Sequence, residues 1–361
     1  MAPSHALQWS THSNNYIPET NLPSNTTRHF VQTSEGPLEL LVADPPATRQ
    51  RREHALFFQH GAFGCASTWL LYATYLSQLG YPCYALSLRG HGASWALGVS
   101  KLWCTTKAAL ARDMVAGIEW AKAEEMRKRG SNTVSIVLVG HSMGGGLVQY
   151  TLSKELVTVT GLILCGPAPG SGMLCTFINF LRMDPLFVPR FLLYRLHPRA
   201  MLPTTIHLRR LFFSPQYSND KLENFNQYLP ESESMVWVLG LIRKFVDFRI
   251  VVQQSITGLG GSKHLGERIL ILVGELDVLM DVPMMRRLAT RYRDTVKQLI
   301  GENREGHVSS DEGDEANTET YTENRGDGVR MVVVKGAGHH VQNDLQWEVG
   351  VQRVADFLQQ L

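Results

Sequence analysis

The sequence predicts an α/β chain: a doubly wound, mostly parallel sheet with helices on its faces and a helical cap inserted into it. Three observations carry this. Short apolar, β-branched runs alternate with helix-length segments in both the first and the last part of the chain. The polar residues able to do chemistry each fall just past one of those runs. Between them, over residues 167–264, the alternation stops and the pattern turns helical and bulky.

Taken in order, residues 28–33 and 38–43 read as an opening pair of strands, 55–59 as a strand and 68–79 as a helix. A strand over 83–88 follows, and a long helix over 106–128 leads to a strand over 134–139. The next strand is 161–165, after which the helical region intervenes. The sheet resumes at 269–273, with a helix over 283–299, a strand over 331–334 and a closing helix over 343–361. This divides the chain into an extension (1–27), a first core part (28–166), a cap (167–265) and a second core part (266–361). No internal repeat is visible.

The run Val134-Ser135-Ile136-Val137-Leu138-Val139 ends in Gly140-His141-Ser142-Met143-Gly144 and continues into a helical pattern. Strand, tight turn and helix are the context in which G-x-S-x-G presents an exposed serine at a strained apex. A serine hydroxyl needs a base, and the base needs an orienting acid. Asp277 lies in Gly274-Glu275-Leu276-Asp277 after the 269–273 strand, with Asp281 as the alternative acid. His339 ends Gly336-Ala337-Gly338-His339 after the 331–334 strand, with His340 beside it as the alternative base. Upstream, an apolar strand runs into His60-Gly61-Ala62-Phe63-Gly64, a turn able to aim backbone amides at a developing oxyanion. The two expected donors are the amides of Ala62 and Met143, with Phe63 the neighbouring candidate. Arg89 and His91, in Leu88-Arg89-Gly90-His91-Gly92, read as loop-structuring residues rather than catalytic ones.

With these segments in hand the chain resembles the α/β-hydrolase superfamily over nearly its whole length, and within it the serine esterase and lipase type with a helical cap. That resemblance implies a nucleophile at Ser142, an acid at Asp277 and a base at His339. Serine at the elbow, where epoxide hydrolases and haloalkane dehalogenases of the family carry aspartate, argues against those two activities.

Composition sets bounds. Hydrophobic residues make up 44% and charged residues 19%, ordinary for a globular enzyme, and a net charge of +2 gives no ground for a nucleic-acid partner. The near-balance conceals nine acids and two bases within residues 301–328, a Gly-, Ser-, Thr- and Asn-rich tract expected to be a disordered surface loop. Five scattered cysteines without metal-ligand spacing, polar residues 1–27 and a terminal Gln359-Gln360-Leu361 that departs from Ser-Lys-Leu point to a reduced, cytoplasmic setting. No run is apolar enough to span a membrane, and neither cofactor nor metal is called for.

The cap is where substrate choice would be written. Its apolar stretches include Phe187 and Phe191, which with Phe63 are the expected substrate-binding residues, and arginines are interleaved with them. Helix-on-helix packing accounts for such a pattern more economically than an anion-attracting or membrane-facing rim, so membrane contact is not favoured. The expected reaction is hydrolysis of a small-molecule carboxylic ester, thioester or lactone with an apolar acyl or alcohol part, through an acyl-enzyme. Acyl transfer to another acceptor, carbon–carbon cleavage or cyclisation on the same scaffold are the alternatives. A peptidase would need a charged or hydrogen-bonding cap pocket for a peptide terminus, and the cap holds no acidic cluster beyond Glu231 and Glu233; a non-catalytic binding protein on this fold usually lacks a triad member, and none is missing here. The sequence leaves the oligomeric state open.

Overall fold

The computed structural model describes residues 21–255, 267–302 and 315–361. Ten strands form one sheet: β1 (Thr26–Gln32), β2 (Pro37–Ala43), β3 (His54–Gln59), β4 (Cys83–Leu86), β5 (Ser135–His141), β6 (Gly161–Cys165), β7 (Ile269–Gly274), β8 (Glu315–Asn317), β9 (Tyr321–Gly326) and β10 (Val329–Val334). Their order is β1-β2-β4-β3-β5-β6-β7-β10-β9-β8. The six strands from β4 to β10 run parallel, with antiparallel pairs at both margins. Parallel strands covered on both faces need apolar residues at every position, and β3, β5, β6, β7 and β10 are buried almost throughout.

On one face lie α3 (Lys107–Arg129), α4 (Ser142–Ser153), α10 (Phe248–Ser255) and α11 (Val282–Glu302). On the other lie α1 (Leu70–Gln78) and α12 (Trp347–Leu358). Thr106 caps α3 by accepting from the Ala109 amide, and Gly130 ends it in the left-handed conformation. A short α2 (Val99–Trp103) precedes α3. Between β6 and β7 the described chain forms only helices: α5 (Leu174–Met183), α6 (Phe187–Leu193), α7 (Thr205–Phe212), α8 (Asn219–Asn226), α9 (Met235–Gly240) and α10. Of these α5, α7 and α9 line the cavity described below, whereas α10 packs on α4 and α11.

Two expectations change. The acidic tract 301–328 is not a loop throughout. Its first two residues finish α11, and 315–326 forms a hairpin whose inner strand, β9, pairs with β10 in seamless antiparallel register. Residues 303–314 lie outside the described chain. A charged, polar strand suits a sheet margin, where one edge faces water and like copies must not add on. The closing helix starts at Trp347, not 343, because Asp344 is engaged elsewhere: its carboxylate accepts from the amides of Gly338 and Ser214 and from the Ser214 hydroxyl, each at 2.7 Å. Among the described residues no helix is long and apolar enough to cross a membrane.

Candidate active site

Strand β5 delivers the chain to a turn that only particular residues permit. A Cβ on Gly140 would lie 2.7 Å from the Gly145 Cα, and one on Gly144 would lie 2.1 Å from the His60 carbonyl oxygen. Helix and strand can approach this closely only with hydrogen at those positions. Ser142, between them, is held at φ 52°, a left-handed conformation that a non-glycine residue adopts at a cost of order 1–3 kcal/mol when its surroundings enforce it. The hydroxyl thereby projects off the end of the sheet with the N-terminus of α4 behind it.

Strands β7 and β10, adjacent and parallel, bring the other two groups to the same end. Ser142 Oγ lies 2.8 Å from His339 Nε2, and His339 Nδ1 lies 2.7 Å from Asp277 Oδ2. With a carboxylate facing Nδ1, that nitrogen carries the proton and donates it, leaving Nε2 to accept from the serine hydroxyl. Asp277 is itself fixed: Oδ1 accepts from the amides of Leu279 and Met280 at 2.9 and 2.8 Å. The alternatives serve other ends. Asp281 accepts from the Met284 amide at the start of α11 and from the Asn179 side chain. His340 is buried among Phe212, Phe213 and Phe225, and its Nδ1 accepts from the Asn343 amide group. Burial, reinforced by the neighbouring His339, holds its pKa well below the ordinary histidine value.

The His60–Gly64 turn is clamped from two sides. His60 donates from Nδ1 to the Gly61 carbonyl and accepts at Nε2 from the Leu88 amide, and burial keeps it neutral. Phe63, at φ 56°, donates its backbone N–H to Glu233 Oε2 at 2.7 Å. That removes Phe63 as an oxyanion donor. Ala62 and Met143 both line the cavity beside Ser142, and Met143 sits in the first turn of α4, where amides have no intrahelical acceptor. Glu233 comes from the stretch between α8 and α9 and is fully buried. The same Oε2 lies 3.1 Å from His91 Nε2, while His91 Nδ1 faces the Arg89 carbonyl at 2.9 Å. Both ring nitrogens face acceptors, an arrangement that favours the protonated ring. Burial opposes that charge, but Glu233 and the Arg89 carbonyl outweigh it and raise the His91 pKa. Arg89 grips Asp113 through two nitrogens and also reaches Glu35, the structuring role its position suggests.

Above Ser142 opens a cavity of about 70 Å³ with largely apolar walls. Phe63, Met173, Phe177, Phe180, Met201 and Phe212 are among its walls, and among the described residues the polar side chains on it are Ser142 and Thr176, whose hydroxyl points to the Met280 sulfur. Phe63 lies on the cavity wall. Phe187 and Phe191 do not: Phe187 packs edge-on against Phe180 and stacks on Phe191, one layer behind the wall. Aromatic residues at helical spacing look alike in sequence whether they face a cavity or the next helix. The residue that sequence reasoning missed is Glu233, whose buried anchoring role has no signature in the sequence. Among the described residues no group of three or more His, Cys, Asp or Glu side chains is arranged to hold a metal ion.

Residues 55–356 match the family model described as the alpha/beta hydrolase family. The chain belongs to the alpha/beta hydrolase family. Solved structures with a similar fold include a thermophilic esterase from Thermogutta terrifontis, at TM-score 0.57 and 17% identity, covering 93% of this chain and 98% of that one. A soluble variant of monoglyceride lipase from Saccharomyces cerevisiae aligns at TM-score 0.59 and 13% identity, over 93% and 97% of the two chains. In sequence the chain is similar to protein phosphatase methylesterase 1 of Pongo abelii, 29% identical over 171 residues. That match takes in 46% of this chain and 37% of the relative, so the chain spans under two-fifths of the length of that curated relative. The family makes the chain a hydrolase, and the proteins it resembles include an esterase, a lipase and a methylesterase.

Proposed function

We propose that this hydrolase cleaves a carboxylic ester with an apolar acyl part, through Ser142, His339 and Asp277. The observation that carries the reading is the unbroken line of hydrogen bonds from Asp277 through His339 to a strained Ser142 hydroxyl, opening on a cavity walled by Phe and Met. As Ser142 Oγ attacks the carbonyl, its proton passes to His339 Nε2. Asp277 stabilises the imidazolium and preserves the tautomer, and the amides of Ala62 and Met143 receive the oxyanion. His339 then protonates the leaving alkoxide, and water, deprotonated by the same ring, releases the acid. Glu233 and His91 position the turn that carries the Ala62 amide. The methylesterase likeness puts methyl esters of apolar acids among the substrates to try, since the cavity would hold the acyl part whatever the alcohol.

The test is labelling with a fluorophosphonate followed by a screen of p-nitrophenyl and methyl esters of increasing acyl length. A single adduct on Ser142 and a preference for apolar acyl chains support the reading. Absence of labelling in folded protein, or equal rates along the series, would count against it. The walls give a sharper expectation. Phe180→Ala enlarges the cavity and should shift the ratio of kcat/KM between long and short acyl chains by about tenfold, the scale on which apolar pockets discriminate. Phe191→Ala, one layer back, should lower Tm and leave that ratio within about twofold, as cavity-creating substitutions in packed clusters do. Equal shifts from both variants would mean that the wall is not where substrate is sorted.

A further inference from the structure

The helical insertion has a second apolar surface, on its outside. Nine of the sixteen large apolar residues exposed among those described fall between Leu174 and Ile206, a stretch under a tenth of the chain. Leu193 is 80% exposed, Leu186 70% and Leu192 63%. Scattered exposed leucines are ordinary, but a cluster of this density on two consecutive helices is not. On α5, Thr176, Phe177 and Phe180 face the cavity while Leu174 and Ile178 face out. A helix apolar on both sides is expected where both sides meet apolar matter. The turn after α6 is built to hold this posture. Arg195 and Leu196 both take positive φ, and the Leu196 carbonyl accepts from Trp103 Nε1.

The charge on this surface is one-sided. Residues 171–219 contain six arginines and a single acid, Asp184, which is buried and paired with Arg190. Arg182, Arg195 and Arg210 are exposed and make no ion pair among the described residues. A cleft at the start of α5, reached by Cys175, continues the pattern. It is lined by Arg286, Arg287 and Arg291 of α11, with Asp294 the one acid on it. Leucines flanked by uncompensated arginines match a surface that is apolar within and negative at its face, which is a bilayer with anionic headgroups. A second copy of this surface would set arginine against arginine.

We infer that the outer face of α5 and α6 seats this enzyme on an anionic lipid surface. The wall of the cavity is then the same helix that touches the lipid, so an apolar substrate could pass from bilayer to Ser142 past α5 without crossing water. The docking surface shares no residue with the Ser142–His339–Asp277 chain, so it stands or falls apart from the proposed reaction.

The experiment uses full-length Ser142→Ala, which removes turnover from the measurement, in flotation with vesicles of phosphatidylcholine alone and of phosphatidylcholine mixed with phosphatidylserine. Binding is expected to the mixed vesicles, with at least about tenfold weaker partition to phosphatidylcholine and at high salt, where headgroup attraction is screened. Leu192→Asp with Leu193→Asp, and separately Arg182→Glu with Arg195→Glu, should each weaken binding about tenfold or more. In the chain that retains Ser142, neither pair should change turnover of a small water-soluble ester, which reports that the fold is kept. No partition into mixed vesicles, or partition indifferent to both pairs, would overturn the proposal. So would a dimer in solution that the leucine pair dissociates without any vesicle binding, which would make the face a contact between copies.

Discussion

Ser142→Ala is expected to lower kcat toward a small p-nitrophenyl ester by about four orders of magnitude or more, with the fold kept. The residual rate would be what the amides of Ala62 and Met143 and substrate binding supply without a nucleophile. Alanine at φ 52° is no more strained than serine, and the hydroxyl loses only its bond to His339, so the thermal midpoint should move little. His339→Ala should be nearly as damaging, because nucleophile and base act as one unit and their losses do not add. His340→Ala separates the neighbours. Its ring fills a nest of Phe212, Phe213 and Phe225, so its removal should cost stability through the cavity left behind, while kcat stays within about tenfold. Steady-state kinetics on the three purified variants, with melting curves, decide the matter. Turnover by Ser142→Ala near that of the parent would remove the serine from the mechanism, and His340→Ala more damaging to kcat than His339→Ala would reassign the base.

What could be seen in the sequence follows from how local each determinant is. The elbow was visible because β5, two glycines and α4 lie within about twenty consecutive residues, and the close approach that demands those glycines involves the turn itself. Asp277 and His339 were visible because each follows a β-branched run, although their pairing belongs to the adjacency of β7 and β10. The hairpin over 315–326 was not, since a strand bearing Glu323, Asn324 and Arg325 has the composition of a loop and is a strand only because β10 on one side and the short β8 on the other offer it a ladder. Phe187 and Phe191 carry an apolar helical pattern, and helix spacing does not say which apolar face meets the cavity. Glu233 was beyond reach for a different reason. Its partners Phe63 and His91 are 170 and 142 residues away, and one buried carboxylate leaves no periodic trace.

Glu233→Gln is expected to lower kcat by about tenfold to a hundredfold while KM for a small ester changes by less than about twofold. The carboxylate serves the Phe63 amide and the His91 ring with one oxygen and the Ser234 amide with the other. A glutamine side chain has one acceptor oxygen, so an NH₂ group must face either Ser234 N–H or the pair of donors on the far side. Either way a buried donor is left without its acceptor and an imidazolium without its counter-charge, a disruption worth about 3 kcal/mol or more. The turn bearing Ala62 loses its anchor, and an amide displaced from the oxyanion harms the transition state more than the ground state, which is why kcat should fall and KM should not. Stability against pH gives a second, independent reading. In the parent the His91 pKa is raised, so its contribution is fully present below the unfolded value of about 6.5 and is lost as pH rises through the folded value. Without Glu233 only the Arg89 carbonyl and the Asp113 charge oppose burial, the largest influence on that ring, so its pKa should fall and the variant should instead lose stability as pH falls below about 6.5. Melting curves from acid to alkaline pH should therefore slope in opposite senses for parent and variant over the histidine range. A variant with parental kcat and a parental slope would show that the Glu233–His91 pair neither carries charge nor positions the turn.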